Sequence, residues 1–239
     1  MSTTPACSVI IPCYRDEAPL ARLLAQLHTL AERCAQPLQI IVVDAARSAQ
    51  CQALCHAQGA EWLPAEPCRG QQLRAGAAAA QHERLWFLHA DAELYGAPFA
   101  ALQAALAQGA PGGYFAFRLS GPLPWQARWL VRLTNWRVRL PLGVPYGDQG
   151  LFATREAYWA AGGHAPWPLF EEVPLVRGLR RQGALACVSE GLRVDPRRWQ
   201  RDGWWRRALL HRLLALGFLC GVPVRHLARW QQRSRARDR

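Results

Sequence analysis

Two apolar runs near the start of the chain decide the fold: Cys7-Ser-Val-Ile-Ile11, which Pro12 ends, and Gln39-Ile-Ile-Val-Val43, which Asp44 ends. Short runs of β-branched residues bounded by turn residues predict strands that are buried on both faces. Between the two runs, leucines recur at positions 20, 23, 24, 27 and 30, which is the spacing of one helix face. Strand, helix and strand in this order predict a parallel pair joined by a crossover helix.

The same alternation continues through the first half of the chain. Helices are predicted near 49–58 and 69–81, and strands at 61–63 and 85–88. The expected fold is therefore an α/β fold with a mostly parallel central sheet that has helices on both faces. In such sheets, ligands bind at the carboxyl ends of the strands. Tyr14, Asp44 and Asp91 all follow predicted strands, so we expect them at the ligand-binding edge.

The second half of the chain has a different pattern. The sequence predicts a strand at 114–118, an arginine- and tryptophan-rich helix at 125–140, a helix at 170–181 and a last long strand at 184–188. From residue 202 onward the sequence is helical, basic and aromatic. This pattern predicts a main domain over 1–200 and a helical, basic-aromatic extension over 201–239 that packs on or beside it.

The composition excludes several classes of protein. With 239 residues, 51% of them hydrophobic and 19% charged, the chain is suited to one sizeable core and not to disorder. The net charge is +12 and every permanently basic residue is arginine, which fits phosphorylated ligands, anionic lipid or nucleic acid. The eight cysteines form no CxxC pair, so we expect reduced thiols in a cytoplasmic protein. No uncharged run is suited to spanning a membrane.

Two aspartates at predicted strand ends have two interpretations each. Asp91 either holds Mg²⁺ or Mn²⁺, which in turn bridges a diphosphate, or caps the helix that follows. His89 lies two residues before it and is a candidate second ligand. Asp44 either accepts hydrogen bonds from a ribose or base, or caps its own following helix.

Three further motifs carry candidate chemistry. Arg69-Gly70 opens a predicted helix, where phosphates bind favourably, although a solvated surface arginine is the common alternative. Glu171-Glu172 is a carboxylate pair that either supplies a general base or stabilises the positive end of a helix dipole. Gly147-Asp-Gln-Gly150 is a polar loop bracketed by glycines, which permit close ligand approach; a plain turn is the alternative.

In their order along the chain, these motifs resemble family 2 glycosyltransferases. The residues that carry the resemblance are Ser8-Val-Ile-Ile-Pro12, Asp44, Arg69-Gly70-x-Gln72-Leu73-x-Ala75-Gly76, Phe87-Leu-His-Ala-Asp91, Tyr146-Gly-Asp-Gln-Gly150 and Glu171-Glu172. The similarity runs from about residue 8 to about residue 231 and is nearest to a short bacterial branch labelled arsenosugar-biosynthesis-type or radical-SAM-associated. Nothing in these residues recognises arsenic.

The resemblance implies a GT-A fold, a UDP- or GDP-linked sugar donor, a divalent cation (Mg²⁺ or Mn²⁺) and an inverting transfer to a hydroxyl acceptor. The residues implied for the nucleotide pocket are Pro12, Tyr14, Asp16, Asp44, Arg69 and Gln72, with Arg198 and Trp199 near the departing diphosphate. Asp91, with His89, is implied as the metal site, and Gly147, Asp148 and Gln149 as the acceptor side. Glu172, beside Glu171, is implied as the general base.

The chain departs from the family pattern at several positions. The usual Asp-Gly-Gly-Ser loop is replaced by Asp44-Ala-Ala-Arg-Ser48, and the usual Asn-Glu by Arg15-Asp16. The base position holds Glu172 where the family usually has Asp, so its carboxylate reaches one methylene further. These changes affect the choice of donor more than the fold.

The C-terminal segment and the helix at 125–140 both alternate arginine with tryptophan or leucine at helical spacing. Such helices either lie in a membrane interface, which favours a lipid-linked acceptor, or pack on the core with their arginine stems reaching outward. Two alternatives to catalysis are a nucleotidyltransferase, whose glycine-rich phosphate loop with lysine is missing here, and a catalytically degenerate GT-A-like protein that binds polyanions or membranes. Nucleic acid is not an expected partner, because carboxylates in the site would repel it.

Overall fold

The computed structural model describes residues 7–34, 38–140 and 143–236. The strands are β1 Cys7–Cys13, β2 Leu38–Asp44, β3 Glu61–Pro64, β4 Arg84–Phe87, β5 Ala92–Leu94, β6 Gly112–Phe115, β7 Phe152–Thr154, β8 Ala186–Val188 and β9 Leu192–Val194. The helices are α1 Glu17–Cys34, α2 Ala49–Ala57, α3 Arg69–Ala79, α4 Pro98–Ala107, α5 Trp125–Val138, α6 Arg155–Ala160, α7 Glu172–Gln182, α8 Arg197–Asp202, α9 Trp204–Leu219 and α10 Val224–Ala236. A short 3-10 turn covers Gly147–Gln149. The outermost residues of both predicted domains lie outside the described residues.

Seven strands form the central sheet in the order β3-β2-β1-β4-β7-β6-β8. Strands β3, β2, β1 and β4 are mutually parallel, β7 is antiparallel to both of its neighbours, and β6 is parallel to β8. Strands β5 and β9 form a separate antiparallel ribbon. The α/β fold with a mostly parallel sheet is therefore confirmed.

Side chains of the central strands alternate between two apolar layers. Val9 and Ile11 pack with α1, α2 and α4 on one face of the sheet, whereas Ile10 packs with α3 and α7 on the other. Both layers exclude water, which is why the strands are apolar at every position instead of at every second one. The sheet is thus fixed from both sides, and its strand ends form a rigid edge.

Pro12 does not end the first strand as the sequence pattern predicted. Strand β1 continues through Cys13, with Pro12 paired in register to Val43 and Cys13 to Asp44. The backbone groups of Pro12 and of Ile10 point towards the neighbouring strand β4. Ile10 pairs with Phe87, the final residue of β4. The Leu88 N–H still donates to the Ile10 carbonyl at 3.0 Å, and Pro12, which has no N–H, cannot continue this ladder.

The predictions for the second half of the sheet were less accurate. The predicted long strand at 184–188 is short: β8 covers only Ala186–Val188, and it is followed by β9, so it is not the last strand either. The strand predicted at 114–118 begins earlier, at Gly112. Gly112 and Gly113 were missed because they lack side chains, yet a β-carbon at either position would lie within 2.5 Å of a neighbouring carbonyl oxygen.

The C-terminal helices pack on the α3–α7 face of the sheet. Leu214 of α9 and Leu227 of α10 are buried in the same apolar layer as Ile10 and Val176. The predicted division between residues 200 and 201 falls inside α8, so the two-part organisation stays a prediction. Among the residues that the structure describes, no helix has the length and hydropathy needed to cross a membrane.

His164 is a buried histidine that the fold keeps neutral. Its backbone N–H donates to the Tyr158 hydroxyl at 3.1 Å, and that hydroxyl lies 3.1 Å from Nδ1 of the same histidine. The ring also packs edge-on against Phe87. Burial, with help from Arg69 and Arg74, lowers the pKa of His164 to about 3.

The neutral state of His164 makes stability depend on pH. Because the folded-state pKa is lowered, the unfolded chain takes up the proton first, and stability is lost as the pH falls below about 6.5. We expect this residue to reduce the free energy of unfolding by about 2 kcal/mol between about pH 7 and pH 5. The measurement is urea unfolding of the wild type and of His164→Gln at both pH values. The difference in free energy of unfolding between the two proteins should be smaller at pH 5 than at pH 7 by that amount. His56→Gln, at an exposed position, should show no such change.

Candidate active site

Asp44 is fully buried at the end of β2, and its carboxylate orders the loop that follows. Oδ1 accepts the Ala46 N–H at 2.8 Å, and Oδ2 accepts the Ser48 N–H at 2.7 Å and the Trp62 indole N–H at 3.3 Å. The Ser48 hydroxyl then caps α2 by accepting the Cys51 N–H. The alternative that Asp44 caps the following helix is therefore wrong: Ser48 is the N-cap of α2, and Asp44 orders the loop before it. Its contact with a nucleotide stays a prediction.

Gln72 ties together the ends of the two central strands. Its side-chain amide, on α3, donates to the Cys13 carbonyl at 3.0 Å and to the Val43 carbonyl at 2.8 Å, and the residue is buried. These two carbonyls lie just beyond the last ladder bonds of β1 and β2. Gln72 thus holds the floor of the predicted nucleotide pocket, although it was predicted to lie beside the nucleotide itself.

Arg198 joins two of the predicted site carboxylates. Its Nη2 lies 3.0 and 3.1 Å from the two carboxylate oxygens of Asp16, and its Nε lies 3.6 Å from Oδ2 of Asp91. Asp16 follows β1, Asp91 follows β4, and Arg198 belongs to α8. The sequence placed these three residues in one site, and the structure brings them together from positions up to 182 residues apart.

A stack of aromatic rings begins at Trp199, the residue that follows Arg198 in the chain. Trp199 stacks on Trp204 with their ring centroids 6.0 Å apart, and Arg207 lies over the Trp199 ring at 5.2 Å. Arg207 is itself paired with Asp202 at 2.6 Å. Trp199 is therefore a packing residue in this structure, and the Asp202–Arg207 pair that supports it was missed by the sequence analysis. The two residues are five positions apart, and this spacing does not predict a side-chain pair on a helix.

His89 lies between an arginine and an aspartate. Its Nε2 is hydrogen-bonded to the Arg69 guanidinium, and its Nδ1 lies 3.9 Å from Oδ1 of Asp91. Burial, followed by the charges of Arg69 and Arg198, lowers the pKa of His89 well below its ordinary value, so the ring is neutral. An arginine only donates, so Nε2 is the acceptor and Nδ1 carries the proton that faces Asp91. In this tautomer the Nδ1 proton faces Asp91 from beyond hydrogen-bond distance, and the ring offers no lone pair to a metal ion unless the Arg69 contact breaks.

Arg69 also binds the first carboxylate of the predicted pair. Its Nε lies 2.5 Å from Oε1 of Glu171, which is almost completely buried. Burial and the neighbouring Glu172 raise the pKa of Glu171 to about 8, against the opposing effect of Arg69. The Gly70 N–H is bonded to the Trp167 carbonyl at 2.9 Å, so this amide at the start of α3 is not available to a phosphate. Only the side chain of Arg69 reaches the site.

Glu172 is the first residue of α7, and a strained residue positions it. Phe170 adopts φ +60°, which is costly for a bulky side chain and reverses the chain direction just before the two glutamates. Oε1 of Glu172 then accepts the Gly147 N–H at 2.8 Å. The predicted base is thus linked directly to the predicted acceptor-side loop.

The loop at 147–149 lies close to the other site residues. A β-carbon on Gly147 would lie 2.7 Å from Nε2 of His89 and 2.8 Å from Nη2 of Arg69, so only glycine allows this approach. Burial, then the charges of Glu172 and Asp91, raise the pKa of Asp148 to about 6. Gln149 is buried and bonds to the Tyr146 N–H and the Phe115 carbonyl, so it supports the loop from beneath.

Two predicted pocket residues have opposite surroundings. Pro12 is buried within β1, whereas the Tyr14 ring is half exposed and has the Arg15 guanidinium 5.4 Å from its centroid. Arg15 adopts φ +55°. In the altered loop, Arg47 turns to pair with Glu66 at the surface. The charge of Arg47 in the altered loop is therefore compensated by Glu66, whereas Arg15 lies beside the Tyr14 ring.

The oxygen ligands of this edge fit a divalent cation. Asp91 is partly exposed, and its charge together with that of Glu172 raises the pKa of Asp148, which indicates accumulated negative charge. Carboxylate oxygens are the ligands that Mg²⁺ and Mn²⁺ prefer, and a cation would compensate this charge. Asp91 is the residue best suited to hold it.

A second group of potential ligands lies below the pocket. Cys13, Asp44 and Cys51 each offer one atom, and these atoms lie within 4.8 Å of one another in a fully buried position. Burial and a contact with Cys51 raise the pKa of Cys13 far above its ordinary value, so its thiol is protonated. Both Asp44 oxygens already accept N–H groups. This group therefore does not suit a cation that binds a diphosphate.

The fold and the edge defined above are those of GT-A glycosyltransferases. Glucosyl-3-phosphoglycerate synthase from Mycobacterium tuberculosis, in complex with Mn²⁺, UDP-glucose and phosphoglyceric acid, is similar over 92% of this chain and 81% of that chain, with a TM-score of 0.61 and 21% identity. Mannosyl-3-phosphoglycerate synthase from Rubrobacter xylanophilus is similar over 92% and 76%, with a TM-score of 0.56 and 15% identity. At these identities the likeness establishes the fold alone.

The sequence also matches the family model of Glycosyl transferase family 2 over residues 8–154, which is more than half of the chain. The chain therefore belongs to this family, and its class is that of the glycosyltransferases. Among curated proteins, none matches the sequence.

Because the Gln72 side chain links β1 and β2 through two hydrogen bonds, its removal should lower the stability of the protein. Gln72→Ala removes two buried hydrogen bonds to strand carbonyl groups, so we expect it to lower the free energy of unfolding by about 1–3 kcal/mol. Gln71→Ala is the matched control, because Gln71 is the preceding residue of the same helix and is exposed. Urea unfolding of both variants is the measurement. Equal losses would mean that the two hydrogen bonds contribute nothing beyond helix packing.

Proposed function

We propose that this protein is an inverting glycosyltransferase that moves a sugar from a nucleoside-diphosphate sugar to a hydroxyl acceptor, with Glu172 as the general base. The observation that carries the proposal is the position of Gly147. Its N–H binds the Glu172 carboxylate, and its α-carbon lies against His89 and Arg69. The predicted base, His89 and Arg69 thus meet at one loop.

Glu172 supplies the proton transfer in the proposed reaction. Its carboxylate takes the proton of the acceptor hydroxyl as the hydroxyl oxygen bonds to the anomeric carbon. The bond between that carbon and the diphosphate oxygen breaks on the opposite face, and the electron pair leaves with the nucleoside diphosphate. The Gly147 N–H fixes one carboxylate oxygen of Glu172, which leaves the other to face the acceptor.

Two arginines are suited to the charge of the departing group. Arg198 and Arg69 lie on either side of the Asp91–His89 pair, and each carries a guanidinium that binds a phosphate with two hydrogen bonds. Both are bound to acidic partners in this structure, so a diphosphate would have to replace part of these contacts. Asp16 and Glu171 would then keep their remaining contacts with the guanidinium groups of Arg198 and Arg69 and hold these groups in place.

We propose that Asp91 holds a divalent cation, Mg²⁺ or Mn²⁺, together with the donor diphosphate. Such a cation neutralises charge on the diphosphate and so makes it a better leaving group. Related folds support this assignment, since structures of the Mycobacterium tuberculosis synthase are complexes with UDP and Mn²⁺ or Mg²⁺. His89 lies beside Asp91, and direct ligation by His89 stays a secondary proposal.

The donor of this chain is proposed to be linked to UDP or GDP. The UDP-glucose and phosphoglyceric acid of the related complex belong to that protein, and we propose for this chain only a hydroxyl acceptor. The assignment to the arsenosugar-biosynthesis-type branch and the cytoplasmic location stay predictions.

The donor site is tested by calorimetric titration of UDP and of GDP into the protein, with and without Mn²⁺. We expect one nucleotide to bind in a metal-dependent manner and Asp91→Asn to weaken that binding at least about tenfold, because an amide is a poorer ligand than a carboxylate. Glu83→Gln, at the opposite end of β4, is the control and should bind like the wild type. Failure of both nucleotides to bind under every condition would favour a degenerate, polyanion-binding protein.

The identity of the base is tested by comparing Glu172→Gln with Glu171→Gln. We expect Glu172→Gln to lower kcat for transfer at least about 100-fold while nucleotide affinity is unchanged, because only the proton transfer is lost. Glu171→Gln weakens the hold on Arg69, so its main effect should be on nucleotide affinity. The measurement is release of the nucleoside diphosphate over a panel of hydroxyl acceptors. The reverse ranking of the two variants would assign the base to Glu171.

A further inference from the structure

The outer face of α5 is apolar and aromatic. Exposed large side chains follow one another at intervals of three or four residues, and they are Trp125, Trp129, Leu133, Trp136 and, just beyond the helix, Leu140. The inner face buries Ala127, Leu130 and Val138, and no tryptophan of the helix is among the buried residues. A helix of an ordinary globular protein turns its tryptophans inward, so the arrangement of α5 is the reverse of what core packing alone requires.

The outer face of α9 has the same character. Its exposed large residues are Trp205, Leu209, Leu213, Leu216 and Leu219, again at intervals of three or four. Its inner face is also apolar, since Ala208 and Leu214 are buried there. A continuous apolar stripe on a helix is expected to be covered. Here the outer side is left open.

The two stripes meet at one end. The rings of Trp125 and Trp205 lie 5.9 Å apart, so the exposed faces of α5 and α9 are continuous at their first residues. We call these ten side chains the α5–α9 surface. Within the described residues, only three further large hydrophobic side chains are exposed. Tyr14 lies after β1, Val222 lies in the turn before α10, and Trp230 lies on α10. The exposed apolar residues of the protein are thus concentrated, not scattered.

The charge on the two helices and the segments next to them is predominantly positive, and Asp202, just before α9, is paired with Arg207. The segments 119–147 and 203–236 contain eleven arginines and no aspartate or glutamate. Arg128, Arg132, Arg206 and Arg212 are exposed on the two helices, and Arg132 lies over the Trp129 ring. Elsewhere in the chain, arginines are interspersed with acidic residues, as at Arg47 and Glu66.

We propose that the α5–α9 surface binds an anionic phospholipid bilayer, with tryptophan and leucine side chains in the interface and the arginines at the headgroups. Interfacial helices combine these residue types, and basic residues near an anionic leaflet add electrostatic attraction. A second copy of this chain is a poor partner, because a symmetric contact would bring like-charged faces together. Nucleic acid accounts for the arginines but leaves the leucines exposed to water.

The bilayer would lie beside the candidate active site. Phe218, on the inner face of α9, packs on Phe170 with ring centroids 4.8 Å apart, and Phe170 directly precedes the two glutamates. Trp204, the first residue of α9, stacks on Trp199 beside Arg198. The acceptor class that this arrangement favours is a lipid-linked hydroxyl compound. That last step rests on the proposed function, whereas binding to a bilayer does not.

The test is co-flotation of the full chain with phosphatidylcholine vesicles that contain about one third phosphatidylglycerol, and with pure phosphatidylcholine vesicles, at low and at physiological salt. We expect binding to the anionic vesicles and a loss of at least about tenfold in affinity for Leu213→Glu/Leu216→Glu. Arg128→Gln/Arg132→Gln should weaken binding and reduce its salt dependence. Arg22→Gln/Arg33→Gln on α1, where both arginines are exposed, is the matched control and should bind like the wild type.

Several results would overturn the proposal. One is the absence of binding to anionic vesicles at low salt while the protein still binds its nucleotide. Another is binding that the leucine substitutions leave unchanged but that duplex DNA displaces, which would identify a polyanion site. Sedimentation that reveals a dimer, dissociated by Leu213→Glu/Leu216→Glu, would assign the surface to a second copy. Circular dichroism of each variant establishes that a loss of binding is not a loss of fold.

Discussion

Compensation of buried negative charge at one sheet edge is the constraint on which the rest of the site depends. Asp91, Asp148, Glu171 and Glu172 gather there, and burial raises the pKa of Asp148 and Glu171 towards neutrality. Neighbouring buried carboxylates destabilise a fold unless cationic side chains lie close to them. Arg69 and Arg198 supply that compensation, and each comes from a helix that begins near a strand end.

This compensation also explains why several site residues serve structure and chemistry at once. Arg69 binds Glu171 and fixes the tautomer of His89, while Arg198 joins the carboxylates that follow β1 and β4. The proposed donor diphosphate carries the same kind of charge as these carboxylates, so under that proposal it would compete for the same guanidinium groups. The buried carboxylates therefore keep the two guanidinium groups in position before a ligand binds. The free energy needed to bring these cations together is supplied by folding.

The α5–α9 surface follows a different rule from the core. Most buried helices present their larger apolar residues to the sheet, as α1 does with its four fully buried leucines. Helix α5 buries Ala127, Leu130 and Val138 and leaves its tryptophans exposed, and α9 has apolar residues on both its buried and its exposed side. The same sequence pattern, apolar residues at helical spacing, therefore corresponds to two environments. Which side of a helix is covered depends on what the chain packs against it, and the pattern alone does not contain that information.

The sequence by itself determined the α/β class and the parallel first half of the sheet, because unbroken β-branched runs are stable only between two apolar layers. It also placed Asp91, Arg198 and Glu172 in one site, through a resemblance that carried their order. Tertiary structure decided the short strands β7 and β9, the tautomer of His89 and the supporting roles of Gln72, Gln149 and Trp199. These features arise from contacts between residues far apart in the chain, and such contacts leave no local period or spacing in the sequence.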